Sequence, residues 1–140
     1  MIYRIVNDYD SANDVLQDSF IDVFRYIKEF RAEASLKTWI TTIAFRNAIR
    51  FLKKSKNFDS IDGHFNVKSE DWNGEFTAEY LEKAIQSLPE KARAVFVAFE
   101  IEGYKHTEIA EMMEISEGTS KSTLSYSKKL LRVKLKELYE

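Results

Sequence analysis

The chain has 140 residues, 44% of them hydrophobic, and a formal net charge of −2 at pH 7, which fits one medium or two small globular domains and excludes a uniformly basic nucleic-acid binder. It has no cysteine, hence no disulfide framework and no thiolate metal site, and its two histidines, His64 and His106, lack ligand spacing and read as plain surface residues. No run approaches a membrane span and Met1-Ile2-Tyr3-Arg4 begins no signal peptide, so a cytoplasmic protein without membrane insertion is expected.

Residues 11–30, SANDVLQDSFIDVFRYIKEF, are expected to form a helix with Ser11 as N-cap and Leu16, Phe20, Val23 and Ile27 as its buried stripe. Asp14, Asp18 and Asp22 repeat every four residues on another face. Like charges at that spacing repel, while the helix dipole favours carboxylates near an N-terminus. On the residues alone, a solvated acidic face is preferred to a docking surface for a basic partner.

Residues 31–38 form a short connection, and a second helix is expected from Trp39 to about Lys54 with Ile40, Ile43, Ala44 and Phe51 as its apolar set. Arg46, Arg50, Lys53 and Lys54 share one side, and Phe30, Trp39, Phe45 and Phe51 are interleaved with this charge. Cations for phosphates and rings for bases suit single-stranded DNA, at roughly 1–3 kcal/mol per stacked base. The competing reading makes the rings core and leaves the cations solvated. It is preferred for Trp39 and Phe51, and the two readings are even for Phe30.

Residues 55–77 contain Gly63, Gly74 and scattered acids without periodicity and read as a flexible acidic linker. A helix over Glu79–Leu88 ends before Pro89, which suits the first turn of the next helix, to about Ile101. Val95, Phe96 and Phe99 supply core for the stretch Gly103 to Leu138, two helices joined by a tight turn. The first carries Ile109, Ala110 and Met113 on one stripe. Ser116 can cap the second, whose buried stripe is Ser120, Leu124, Ser127, Leu131, Leu135 and Leu138. Lys121, Lys128, Lys129, Arg132 and Lys136 lie opposite, and no acid occurs from Gly118 to Lys136. A capped basic second helix after such a turn describes a helix-turn-helix that enters a DNA major groove. The bland alternative is a helical hairpin with solvated lysines.

The wording EIAEMMEISEGTSKS resembles the C-terminal DNA-binding region of bacterial sigma factors. NDVLQDSFIDVFRYIKEFRAEASLKTWITTIAFRNAIRFLKK resembles region 2 of the small extracytoplasmic-function sigma factors, through Asp14, Gln17 and Asp18, then Phe30-Arg31, Thr38-Trp39 and the basic helix. The two come in the family's order and cover about residues 5–139. The resemblance implies an all-α protein of two small domains, region 2-like over residues 1–54 and region 4-like over 78–140, joined by the linker 55–77. It implies a sigma factor that binds core RNA polymerase, at the β′ coiled coil through Asp14, Gln17 and Asp18 and at the β flap. Phe30, Arg46, Asn47, Arg50 and Lys53 would act on the −10 promoter element. Lys121, Ser122, Ser125 and Tyr126 would read bases of the −35 element, while Lys128, Lys129 and Arg132 hold phosphates. Promoter DNA and an anti-sigma factor are the further partners implied.

The sequence also departs from the family pattern. The family usually has a hydrophobic residue where Ser120 stands, and often arginine at Thr123 and Tyr126. The Asn common in the −10 helix aligns with Arg46, with Asn47 one place later. Lys105 replaces the usual Ser/Thr cap, so that helix end is expected to fray. Met1–Tyr9 resembles only the tail of the first region 2 helix. Leu16, Phe20, Val23 and Ile27 are therefore expected either to self-associate through residues 1–30 or to be covered by the second domain or by Phe65, Val67 and Trp72, unless the chain is a truncated form of a longer one. No phosphate loop, paired nucleophile or metal cluster is present in the sequence, so neither enzyme activity nor a cofactor is expected. Two rivals stand beside the sigma factor: a stand-alone helix-turn-helix regulator, and a helical protein-interaction module without DNA binding.

Overall fold

The computed structural model describes residues 1–55, 57–58 and 77–139, and every regular element among them is helical. Helix α1 (Ile2–Val6) ends at Asn7, whose left-handed φ of 60° returns its N–H to the Tyr3 carbonyl at 2.7 Å. Helix α2 (Tyr9–Tyr26) begins two residues later. Its cap is Asp8, one turn ahead of the expected Ser11. The Asp8 carboxylate accepts from the Ser11 hydroxyl at 2.6 Å and the Ser11 amide at 2.9 Å. Those two hydrogen bonds, the hydroxyl's first, hold its carboxyl below the usual range. The helix also stops earlier than expected, and Ile27–Glu29 tighten into a 3₁₀ turn.

The buried side of α2 is rotated from the expected stripe. Val15 and Ser19 are buried and Val23 is half-buried, whereas Leu16, Phe20 and Ile27 are exposed. The cause is α3 (Leu36–Lys53), which packs on the Ser19 side. There the Asn47 amide donates to Ser19 Oγ at 3.2 Å and to Asp22 Oδ2 at 2.9 Å. This side of α2 meets α3, while the larger apolar side chains one position away face solvent. α3 starts before Trp39 because Ser35 caps it, accepting from the Thr38 amide at 3.1 Å. Ala44, Phe45, Ala48, Ile49 and Leu52 are its buried apolar residues, with Ile40 and Ile43 half-buried. Phe51, expected in the core, is exposed, and Phe45, which the sequence interleaves with cations, is wholly buried.

Most of the segment read as a linker lies outside the described residues, as do Phe65, Val67 and Trp72. Its first residues lie on the body of the protein: Ser55 Oγ donates to Glu90 at 3.3 Å and Phe58 is buried. Beyond it, α4 (Ala78–Gln86) is capped by Thr77, and α5 (Glu90–Phe96) has Pro89 as its N-cap rather than in its first turn. α5 runs into a π-helical turn, Val97–Ile101, and the chain then turns at Gly103 with φ 78°, a conformation that favours glycine. Tyr104 and Lys105 lead into α6 (His106–Met113) and α7 (Glu117–Tyr139). The α6 end expected to fray is closed by Glu108, whose carboxylate accepts from the Lys105 N–H at 3.0 Å.

The two halves share one core. α1 packs against α2 and α3 on one side and α5 on the other. Arg93 of α5, 4% exposed, donates from Nε and Nη2 to the Ile5 carbonyl at 3.0 and 2.8 Å, and from Nη1 to the Leu88 carbonyl at 2.9 Å. Burial pushes the pKa of this guanidinium down, against the attraction of Glu90. Arg4 and Glu82 add an ion pair at 2.6 Å between the same halves. Among the described residues no helix is long and apolar enough to cross a membrane.

Candidate nucleic-acid interface

The second helix of the helix-turn-helix is built as the sequence indicates. Ser116 Oγ accepts from the Thr119 amide at 2.9 Å and bonds the Thr119 hydroxyl at 2.8 Å. Ser120, Leu124, Ser127, Leu131 and Leu135 are buried, and Leu138 at the end of the stripe is exposed. The two serines let neighbouring elements approach closely. Ser127 Oγ donates to the Ala92 carbonyl at 2.8 Å, which joins α7 to α5. Ser120 Oγ lies 2.8 Å from His106 Nδ1, and the His106 ring stacks on Phe99 at 4.3 Å. His106 is thus a half-buried structural residue, contrary to the surface role expected of it.

On the opposite side of α7, Lys121, Ser122 and Ser125 are exposed, and Tyr126 and Lys129 are half-buried. Ser122, Ser125, Tyr126 and Lys129 follow i, i+3, i+4, i+7 spacing and line one shallow concavity of about 180 Å³. Lys129, expected among the phosphate contacts, shares that concavity with the expected base readers. Lys121 pairs with Glu117 at 3.4 Å along the helix, and Lys128 pairs with Glu100 of the π turn at 2.7 Å. Arg132 is exposed.

The second basic surface is on α3. Phe30 and Trp39 meet at 5.5 Å with their planes 53° apart. With Glu29, Arg31, Glu33, Thr38, Ile43 and Arg46 they line an open cleft of about 350 Å³, so two carboxylates stand beside its two arginines. The loop that forms it holds Ala32 at φ 57°, a left-handed backbone that costs an alanine roughly 1–2 kcal/mol. Arg46, Arg50 and Lys53 stand exposed along α3. Asn47 is separated from them by its burial against α2, where it holds Ser19 and Asp22 and accepts from Arg50 at 3.3 Å. Its amide is used for packing α2 on α3 and does not face the cleft. Arg46 and Lys53 reach across to α6, to Glu111 at 3.6 Å and Glu114 at 3.0 Å. Nothing in sequence spacing links these positions.

Asp14, Gln17 and Asp18 are placed along α2, and the two aspartates border a groove between α2 and α3. Beside them lies the apolar side of α2, with Phe20 at 55% and Phe24 at 81% exposure. Near its start, Met1, Ile2, Tyr3, Tyr9, Ala12 and Leu16 border a wide apolar hollow.

Comparison with known proteins matches both halves. Sigma-70 region 2 matches residues 1–58 and Sigma-70, region 4 matches residues 78–131. The chain is 28% identical to the ECF RNA polymerase sigma-E factor of Haemophilus influenzae, an alignment covering 96% of this chain and 81% of that one. It is 29% identical to the ECF RNA polymerase sigma factor SigM of Mycobacterium tuberculosis over 81% of this chain, but spans only 58% of that protein. It is 26% identical to the RNA polymerase sigma factor SigV of Bacillus subtilis, over 96% of this chain and 82% of that one. The fold resembles that of the sigma factor RpoE from Bartonella quintana, solved in complex with the anti-sigma factor NepR, with a TM-score of 0.67 at 23% identity over 96% of this chain and 87% of that one. With both regions matched in order and sigma factors as its relatives, the chain belongs to the extracytoplasmic-function branch of the sigma-70 family of RNA polymerase sigma factors.

Proposed function

We propose that this sigma factor holds a promoter at two places, duplex on α7 and single strand on α3, while α2 docks on core polymerase. The observation that carries the proposal is the pairing of two outward basic faces of different character. α7 presents an exposed polar surface backed by a buried stripe, suited to base edges in a major groove. α3 presents cations beside the tilted Phe30–Trp39 pair, suited to phosphates and an unstacked base. A stand-alone operator-binding regulator has no use for the second face.

On α7, Lys121, Ser122, Ser125 and Tyr126 read bases of the −35 element. Lys129 joins them because it shares their concavity. Lys128 and Arg132 hold phosphates on the flank. On α3, Phe30, Arg46, Arg50 and Lys53 engage the −10 element, and Asn47 supports them from behind by fixing α3 on α2. Asp14, Gln17 and Asp18 offer the polymerase β′ coiled coil an exposed face of α2, the two aspartates bordering a groove that Arg25, Arg50 and Lys54 also line, and the region 4-like half meets the β flap. An anti-sigma factor is the regulatory partner, in line with the complex in which the Bartonella protein was solved. The exposed apolar side of α2 is where self-association through residues 1–30 would occur.

The α7 assignment is tested by binding to a −35 duplex and to scrambled duplexes across a salt series. Lys129→Ala should weaken the preferred site by roughly 1–3 kcal/mol more than scrambled DNA. Arg132→Ala should weaken all sequences alike and flatten the salt slope by about one unit. Equal, sequence-independent losses from both variants would remove Lys129 from the base-reading group.

A further inference from the structure

We propose that α2 is a homodimer interface. Two copies of this chain lay their α2 helices antiparallel across a two-fold axis near Phe20, and the Phe24 end of each enters the apolar hollow at the start of the other. The pairing rests on the reading of the exposed side of α2 as a self-association surface, and fixes its partner, orientation and register.

Tyr9, Asn13, Leu16, Phe20, Val23 and Ile27 recur at alternating steps of four and three residues, the seam that one helix offers another in a coiled coil. α3 packs on a different side of α2, at Ser19 and Asp22. The seam stays open: Tyr9, Leu16, Phe20 and Ile27 are exposed, as is Phe24 beside it. Tyr9 is 71% and Phe24 81% exposed, with Tyr3, Leu16, Phe20 and Ile27 between 42% and 55%. A buried aromatic side chain removes about 150–250 Å² from water, so these six present roughly 600 Å² of apolar surface per copy. Stable interfaces of standard size begin near about 600 Å² per partner, and here no polar rim has yet been counted.

Shape and charge both select the antiparallel arrangement. The seam has a hollow at one end and a projection at the other. Met1, Ile2, Tyr3, Tyr9, Ala12 and Leu16 border the hollow, about 550 Å³ in volume. Phe24, the most exposed large apolar side chain among the described residues, projects about two turns beyond Leu16. An axis at Phe20 places Phe24 of one copy opposite Leu16 of the other, at the hollow, and Ile27 opposite Asn13. Each copy uses the same surface, as a two-fold interface requires. A parallel pair would set projection against projection and leave both hollows empty. Charge has the same polarity. Asp10 stands at the start of α2 and Lys28 follows its end, about five whole turns later and so on the same flank, and both are exposed. Antiparallel helices bring each Asp10 toward Lys28 of the other copy, whereas parallel ones set like charges together. Asp14 and Asp18 border the groove toward α3 and lie outside the seam.

The test is sedimentation velocity of the full chain over a concentration series, with circular dichroism alongside. The wild type should show a monomer–dimer equilibrium. Phe24→Glu should weaken it about a hundredfold with helicity unchanged, since the lost contact occurs twice across the axis. Ile21→Glu, exposed on α2 but off the seam, should leave it unchanged. Because the chain has no cysteine, disulfide trapping reads the orientation. Asn13→Cys mixed with Ile27→Cys should link, and Asn13→Cys alone should not. A dimer lost with Phe24→Glu but trapped through Asn13→Cys alone overturns the antiparallel register and leaves self-association through α2 standing. A dimer indifferent to Phe24→Glu, or a strict monomer, overturns both. Hydrogen exchange over α2 then tells whether a monomer's stripe is bare or covered by another segment of its own chain.

Discussion

Arg93 makes the strongest demand on the packing between the two halves, and replacing it by methionine isolates that demand. Methionine keeps most of the stem volume and removes every donor. The Ile5 and Leu88 carbonyls, on residues 0% and 3% exposed, then lose their guanidinium partners. Each unsatisfied buried carbonyl costs roughly 1–3 kcal/mol. Removing a buried charge returns part of its desolvation penalty, so the net loss should be about 2–4 kcal/mol, a large share of the roughly 5–15 kcal/mol typical of a folded domain. For a chain of this length that corresponds to a fall in Tm of roughly 6–16 °C. Arg93→Lys, able to reach one carbonyl at a time, should fall between the methionine variant and the wild type. Urea and thermal unfolding followed by circular dichroism measure all three. A loss below about 1 kcal/mol for Arg93→Met would mean that water or backbone rearrangement replaces the bridge from α1 to α5, and the importance given to that bridge would be wrong.

Further expectations concern the contact between halves and the docking surface. Burial pushes the Tyr104 phenol above its ordinary pKa of 10.0, with the Thr42 hydrogen bond acting in the opposite direction. A raised folded-state pKa means that the unfolded chain ionises first, so stability is unaffected below the unfolded value and declines as pH rises from there through the folded one. Stability should therefore fall in the alkaline range above about pH 10, and Tyr104→Phe should lose less there than the wild type, as read by denaturant midpoints across pH. Asp14→Lys with Asp18→Lys should abolish capture of core polymerase without lowering helicity. Capture at wild-type strength by the double variant would clear that face of any role.

The helix-turn-helix was legible because its signals are local. The Ser116 cap, the stripe from Ser120 to Leu135 and the acid-free basic face all come from spacing along one helix. α2 was harder to read for a physical reason. Apolar residues occupy both sides of it, at Leu16 and Phe20 and at Val15 and Val23, so periodicity alone cannot say which side meets α3. The side that meets α3 carries the polar set Ser19 and Asp22 with Asn47, a pairing visible only when the two helices are brought together. The cap of α2 is Asp8, whose backbone is extended, three residues ahead of the expected Ser11. Asn47 belonged to the expected DNA-binding group as the asparagine one place beyond the aligned family position, yet its amide is turned toward α2. Arg93 carried no local signal at all, because its partners are the carbonyl of Ile5, 88 residues away, and that of Leu88. The same holds for Arg46 with Glu111 and Lys53 with Glu114. Opposite charges far apart in sequence are common, and only the fold shows which of them meet.

Whether this chain directs core polymerase to promoters is decided by transcription from a promoter-bearing template by bacterial core polymerase, with and without the chain. Initiation at a defined start site is expected only when the chain is present, and should be lost with Phe30→Ala and with Asp14→Lys/Asp18→Lys. A chain that binds the −35 duplex with sequence preference, yet neither binds core polymerase nor yields a transcript, would contradict promoter direction and favour an operator-binding regulator.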